Sequence, residues 1–273
     1  MSSGSTRVPT LVLSTSASAA SPSSAAEPTT TPFVIRLYCD HRAFVARLCQ
    51  NRWMPKVVDH DERRRAIADA MWQVIARDGL EAASARTVAA EGGWSLGAVR
   101  HSFRNHDELL RFAIDRMLEG VTQRIREEWR GGQPGQARCR RVLEQLLPLD
   151  ERRIGEVRVW LAALVRAQVD PLLDDLRHAG WRGTRLVCRG VVTEVGGQAE
   201  LFAALMEGGE RALPACLERH AAHLHTWIDG LTLQAVTMPE VLGSRQVRTQ
   251  LADQLGVITR AVTMERVTGI EPA

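Results

Sequence analysis

The sequence predicts an all-α protein in which a head of three helices joins a larger helical body. Three observations lead there. From His60 to Val262 apolar residues recur at three- and four-residue spacing. No segment reads convincingly as a strand. Glycine, proline and helix-capping Ser or Asp punctuate the apolar runs at helical lengths. The 273 residues suffice for one or two domains with a sizeable core.

Four segments are expected: 1–53, 54–106, 107–263 and 264–273. The first is rich in Ser, Ala, Thr and Pro up to about residue 31 and buries too little apolar surface to order itself. Residues 32–53 are more apolar and suit a short helix. Patterned sequence begins after Met54, so 1–53 is read as a disordered arm or a misassigned start. Mass spectrometry of the native N-terminus would test this; a first residue well before Met54 overturns it.

The first helix opens at about His60. It places Ile67, Ala70, Met71, Val74 and Ile75 on one stripe, and Gly79 stops it. A short helix follows behind Ser84 as its cap. Gly92-Gly93 breaks it, and Ser95 caps the next, which ends near Phe103. A long helix runs from about Asp107 to Arg130 on Leu110, Ile114, Met117, Val121, Ile125 and Trp129. The stretch GGQPGQ (131–136) is a boundary. Ile154, Val157, Leu161, Leu164 and Val165 mark another helix. Asp170-Pro171 opens the next. The glycine-rich segment from Gly180 to Gly197 carries no clear pattern. Leu213, Leu217, His220, Leu224, Trp227, Ile228 and Leu231 form a long stripe. A last helix starts at Pro239 with Val247, Leu251, Leu255, Ile258 and Val262. The tail after about Met264 has no structural reading.

Composition excludes more than it assigns. The net charge of +3 spread over this length predicts no nucleic-acid binding, so any such footprint must be local. Cys39, Cys49, Cys139, Cys188 and Cys216 show no CxxC spacing and no zinc pattern; they suit incidental thiols in a reducing cytosol. No apolar run approaches the ~18–20 residues of a membrane span, and the N-terminus lacks a signal-peptide pattern. Both point to a cytoplasmic protein. His220, His223 and His225 form HxxHxH without a carboxylate to complete a metal site. GxSxG, P-loop and dinucleotide fingerprints are missing. An enzyme, a metal and a cofactor are therefore not expected.

The informative run is RTVAAEGGWSLGAVRHSFRNHDELL, residues 86–110. It reads as two short helices about a tight turn. Val88, Ala89 and Ala90 allow close helix packing, and Gly93 supplies a turn geometry that side chains resist. Gly97 and Ala98 keep one face of the second helix slim. Val99 and Phe103 anchor its other face. Arg100, His101, Arg104 and His106 lie on or beside the outward face and offer donors to phosphate oxygens and base edges. A solvated helical hairpin with incidental basic residues is the plain alternative.

The run resembles the N-terminal domain of TetR-family regulators. The matching residues are Ala66-Ile67, Val74-Ile75, Gly79, Ser84, Val88-Ala89, Gly93, Ser95, Gly97-Ala98, Phe103 and Leu109-Leu110. The opening MPKVVDHDERR and the segment WIDGLTLQAV (227–236) are similar to the betaine-type subgroup, extending the resemblance weakly over most of 54–262. It implies a helix-turn-helix head that reads DNA, on a body that pockets a small effector and dimerises. By this resemblance Thr87, Ser95, Leu96, Gly97, Arg100, His101, Arg104 and His106 are expected at DNA. Trp129, Trp160, Arg166, Gln168 and His178 are expected along an effector pocket. Leu224, Trp227, Leu231, Gln234, Val247, Leu251 and Leu255 are expected at a homodimer interface. Many members carry Tyr where this chain has Arg100, and often His where it has Ser102, so the operator sequence is expected to differ. The implied function is a ligand-responsive repressor on a palindromic operator. The alternative is a helical ligand-binding or interaction protein that does not read DNA.

Overall fold

In a computed structural model, residues 60–208 and 212–268 are described. The expectations for 1–53 lie outside them. Among the described residues the regular structure is entirely helical. In the head, α1 (His60–Asp78) buries Ile67, Ala68, Ala70, Met71, Val74 and Ile75. Gly79, at φ 88°, ends it, a conformation that costs glycine little. After one 3-10 turn (Leu80–Ala82), Ser84 Oγ accepts from the Thr87 amide to start α2 (Ala85–Glu91). Ser95 Oγ accepts from the Ala98 amide to start α3 (Leu96–Ser102). Both caps satisfy amides that a helix start leaves without internal partners. Between them Gly93 takes φ 70°.

Helix α4 (His106–Arg130) begins at Asn105, whose Oδ1 accepts from the Glu108 amide. Its 25 residues give it a length of about 38 Å, long enough to reach from the head into the body. The body adds α5 (Gln136–Glu144), α6 (Glu151–Arg166), α7 (Asp174–Val195), α8 (Ala199–Met206), α9 (Ala215–Thr237) and α10 (Ser244–Thr268). Two apolar cores result. One joins α1, α2, α3 and the first half of α4 to Val159 and Ala163 of α6 and to Leu173 and Leu176. The other packs α5, α7, α9 and α10 around Ile125. The head thus shares its core with α6. The contact is close: a Cβ on Gly155 would lie 3.0 Å from Trp72 Cζ2 and 3.1 Å from Ala76 Cβ. Beside it Arg158 Nη1 donates to the Ala76 carbonyl at 3.2 Å.

Several expectations for the body are corrected. Helices α5 and α8 carry no stripe in the sequence reading. On α6 the inward residues are Val157, Val159 and Ala163, while Ile154, Leu161 and Leu164 are only half-buried and Val165 is 73% exposed. The run VRVWLAALV is apolar almost all round, so periodicity alone cannot fix its phase. The glycine-rich segment is the second half of α7, preceded by a 3-10 turn at Pro171–Leu173. Two of its glycines act as seats for tryptophans. A Cβ on Gly180 would fall 2.2 Å from Trp160, and one on Gly190 would fall 3.2 Å from Trp129. The last helix starts at Ser244 rather than Pro239 and continues through Met264 to Thr268.

The residues expected at a dimer interface divide between buried and outward positions. Leu224, Leu231, Val247, Leu251 and Leu255 are at most 4% exposed within one chain; they fill its own core. Trp227 packs half-buried against that core, and Gln234 faces outward. Period fixes a buried face, not which neighbour buries it. The outward faces of α9 and α10 instead expose Leu233, Val257, Met264 and Val267.

Cys139 and Cys188 are buried free thiols. Burial raises both, Cys188 to about 12, which suppresses thiolate chemistry. No described helix is long and apolar enough to cross a membrane.

Candidate nucleic-acid interface

Helix α3 is fixed from inside and open outside. Val99 and Phe103 are 2% exposed and hold it to α1 and α4. Opposite them, Ser95, Gly97, Arg100, His101, Arg104 and His106 are exposed and Leu96 is half-exposed. A Cβ on Gly97 would meet nothing nearer than Ser95 Oγ at 3.8 Å. Internal packing therefore does not need that glycine, and the slimness it gives faces outward. Arg100 has no acidic partner among the described residues. His101 stacks edge-on against His60 at 5.9 Å between ring centroids. Arg104 presents its side chain to solvent while its amide donates to Glu108. His106 opens α4. Thr87 is exposed too, but its hydroxyl is 2.5 Å from the Ala82 carbonyl and 2.9 Å from the Ser84 carbonyl. The eight residues expected at DNA thus lie on α2, on α3 and its cap, and on the turn into α4.

The sequence reading missed what pins α3. Arg64 of α1 donates Nη1 to the Ser102 carbonyl, at the end of α3, and Nη2 to Glu108 at 3.0 Å. Its guanidinium lies 4.1 Å from the Phe103 ring centroid and 5.0 Å from that of Phe112. The same Glu108 carboxylate accepts from the Arg104 amide at 2.8 Å. That amide bond, then Arg64, holds the Glu108 carboxyl below the usual carboxylate range. One charge pair therefore ties α1, the end of α3 and the start of α4.

Arg64→Ala should lower the stability of the described fold by about 2–3 kcal/mol, one charge-assisted bond plus a cation–π contact. Urea denaturation checks it, and Arg64→Lys should recover only part. The carboxyl is depressed in the folded state, so its contribution is full above the ordinary glutamate value. It is lost as pH falls through the depressed one. In Glu108→Gln that acid-side loss should shrink.

The residues expected along an effector pocket are not brought together. Trp129 packs on Phe202 at 5.0 Å, in the core around Ile125. Trp160 packs in the core shared with the head. Arg166 pairs with Asp170 at 3.1 Å and Asp107 at 3.9 Å. Gln168 is exposed in the turn after α6, and His178 lies 3.2 Å from the Asp174 carboxylate. The two tryptophans are spent on glycine seats of α7, and the three polar side chains are surface groups. The three histidines of α9 do not converge either. His220 contacts Glu265, His223 is exposed, and His225 is buried beside Trp181 and Asp229.

Residues 134–259 match the family model described as BetI-type transcriptional repressor, C-terminal. The HTH-type transcriptional regulator PksA of Bacillus subtilis is 36% identical over 186 residues, 68% of this chain and 84% of that protein. The chain belongs to the TetR family of transcriptional regulators. The HTH-type transcriptional regulator BetI of Paraburkholderia phymatum is 28% identical over 185 residues, 66% of this chain and 85% of that one. Among solved structures, a transcriptional regulator of Rhodococcus is 31% identical. It superposes with a TM-score of 0.58 over 77% of this chain and 99% of its own. A regulator of Saccharomonospora viridis crystallised with choline is 23% identical, covers 72% of this chain and 96% of its own, and shares the fold at 0.59. The TetR assignment makes this chain a DNA-binding regulator with a helix-turn-helix head.

Proposed function

We propose that this regulator is a ligand-responsive repressor that binds a palindromic operator as a homodimer in the cytoplasm and catalyses no reaction. One observation carries the reading: α3 is pinned from behind by Arg64 while its outward side is slim and basic. A helix in the major groove needs both. We place the DNA-reading head at 54–106 and the effector-binding and dimerising body at 107–263. Arg100 is the base-reading side chain. Arg104, His106 and Ser95 contact phosphates, and Thr87, Leu96, Gly97 and His101 line the groove. The effector is a small molecule held by the body, and it weakens operator binding by a coupling of ~1–3 kcal/mol.

A gel shift on DNA flanking the protein's own gene, run as a salt series, tests the reading. Specific binding to a palindrome supports it. Weak, sequence-blind binding overturns it and favours a helical protein that no longer reads DNA.

The dimer surface we infer is the outward side of α9 and α10. Leu233 and Val257 are about half exposed, a costly arrangement unless another surface covers them. Leu233→Glu with Val257→Glu should shift the protein to monomer in light scattering while leaving its helical content intact. Operator affinity should fall with the dimer. A double variant that stays dimeric overturns this face.

A further inference from the structure

His60 opens α1 one turn before Arg64, and residues four apart share a helix face. Arg64 is fixed to the end of α3 by the Ser102 carbonyl and the Phe103 ring, and to α4 by Glu108. That pin carries His60 to the outward side of α3. There its ring meets the His101 ring edge-on, at 5.9 Å between centroids and 64° between planes. Both residues are exposed, and neither ring has a carboxylate partner among the described residues. On α3 itself the residues one turn back from His101 are Gly97 and Ala98, too small to hold an imidazole. Even a Cβ on Gly97 would meet only Ser95 Oγ, at 3.8 Å. An exposed ring so placed changes rotamer easily, and fixing such a side chain on binding costs affinity. An edge-on aromatic contact fixes it beforehand.

We propose that His60 is a positioning residue for DNA recognition. It holds the His101 imidazole in one orientation on the outward face of α3, so that a ring N–H is presented to an acceptor on the operator. The first residue of α1 thereby belongs to the reading surface without touching DNA itself. Arg64 sets the register of that contact from one turn away. The DNA role rests on the operator-binding reading; the ring contact does not.

His60→Ala and His60→Phe in the full chain test this, because phenylalanine keeps an aromatic ring at the contact and alanine does not. Without DNA, histidines labelled at Cε1 report the contact by NMR at fixed pH. The His101 resonance, identified by its absence in His101→Ala, should move in His60→Ala and stay displaced by the neighbouring ring in His60→Phe. A resonance unmoved in His60→Ala overturns the proposal. With operator, His60→Ala should weaken binding about threefold per head, hence about tenfold for two heads on one operator. His60→Phe should recover most of that loss, and failure to do so overturns the proposal. In a His101→Ala background, His60→Ala should cost nothing further. An equal cost there overturns the proposal, since His60 would then act on DNA or on the fold directly. Thermal melts of the variants should match the parent, because both side chains lie at the surface. Operators altered one position at a time identify the acceptor. A base edge gives relaxed preference at one base pair per half-site; a phosphate gives a shallower salt dependence with preferences intact. Either pattern supports the proposal when His60→Ala and His101→Ala share it, and different patterns for the two overturn it. If the parent binds no operator specifically, the operator reading and the DNA role fall together, while the resonance still decides the ring contact.

Discussion

Glu194→Ala should destabilise the body by about 3–5 kcal/mol, the usual cost of stranding one partner of a buried pair. The Glu194 side chain is 4% exposed and that of Arg138 is 10% exposed. The carboxylate accepts from Arg138 Nε at 3.1 Å and from the Gly135 amide at 2.7 Å, and it also contacts Arg138 Nη2. Arg138 Nη1 in turn donates to the Trp129 carbonyl at 3.0 Å, near the end of α4. Removing the carboxylate leaves a buried guanidinium without a counter-charge and a loop amide without an acceptor. Against a total stability of ~5–15 kcal/mol, that loss is large. The urea midpoint measures it. Glu194→Gln keeps an acceptor but not the charge, so it should fall between parent and alanine. Arg138→Met with Glu194→Met removes both charges at once and should recover most of the loss, because paired burial of charge gains little over apolar packing. A loss below about 1 kcal/mol in Glu194→Ala would mean that water reaches the site.

What the sequence made legible follows from how local each cause is. The caps of α2 and α3 were readable because Ser84 and Ser95 bond amides three residues ahead. The turn was readable because Gly93 needs a positive φ. The pin at Arg64 was not, since its partner Glu108 lies 44 positions away and neither residue type is unusual on a helix. Helix α7 was hidden by its own glycines. Each costs about 1 kcal/mol in helix propensity relative to Ala; the tryptophans seated on Gly180 and Gly190 explain two of them, while a Cβ on Gly183 would meet nothing within 4 Å. The stripes of α9 and α10 are buried faces, and five of the seven residues expected at a dimer interface lie inside one chain's core. A core leucine and an interface leucine have the same period. Of the five residues expected along a pocket, the two tryptophans are packed inside the chain for a related reason. A tryptophan needs to be covered, and covering by a glycine of the same chain meets that need as well as a ligand does.

Arg100→Ala should cost about 1–3 kcal/mol of discrimination at one base pair in each half-site. Two recognition helices act on one operator, and separated positions add, so full-operator specificity should fall by about twice that. The reason lies in what Arg100 lacks. It stands on α3 in a register where Val99 and Phe103 face inward and no described carboxylate neutralises it. A guanidinium held so, on a helix whose neighbour Gly97 leaves room for close approach, is free to take the O6 and N7 acceptors of guanine together. Lysine supplies charge without that fork, so Arg100→Lys should retain affinity better than it retains base preference. Arg104→Ala and His106→Ala should behave differently, weakening all sequences alike and flattening the salt dependence, as loss of phosphate contacts does. Binding measured on operators mutated one position at a time separates the two patterns. If Arg100→Ala keeps the parent's base preferences and only its salt slope falls, the residue touches backbone, and base reading passes to His101 and the groove-facing side of Gly97-Ala98.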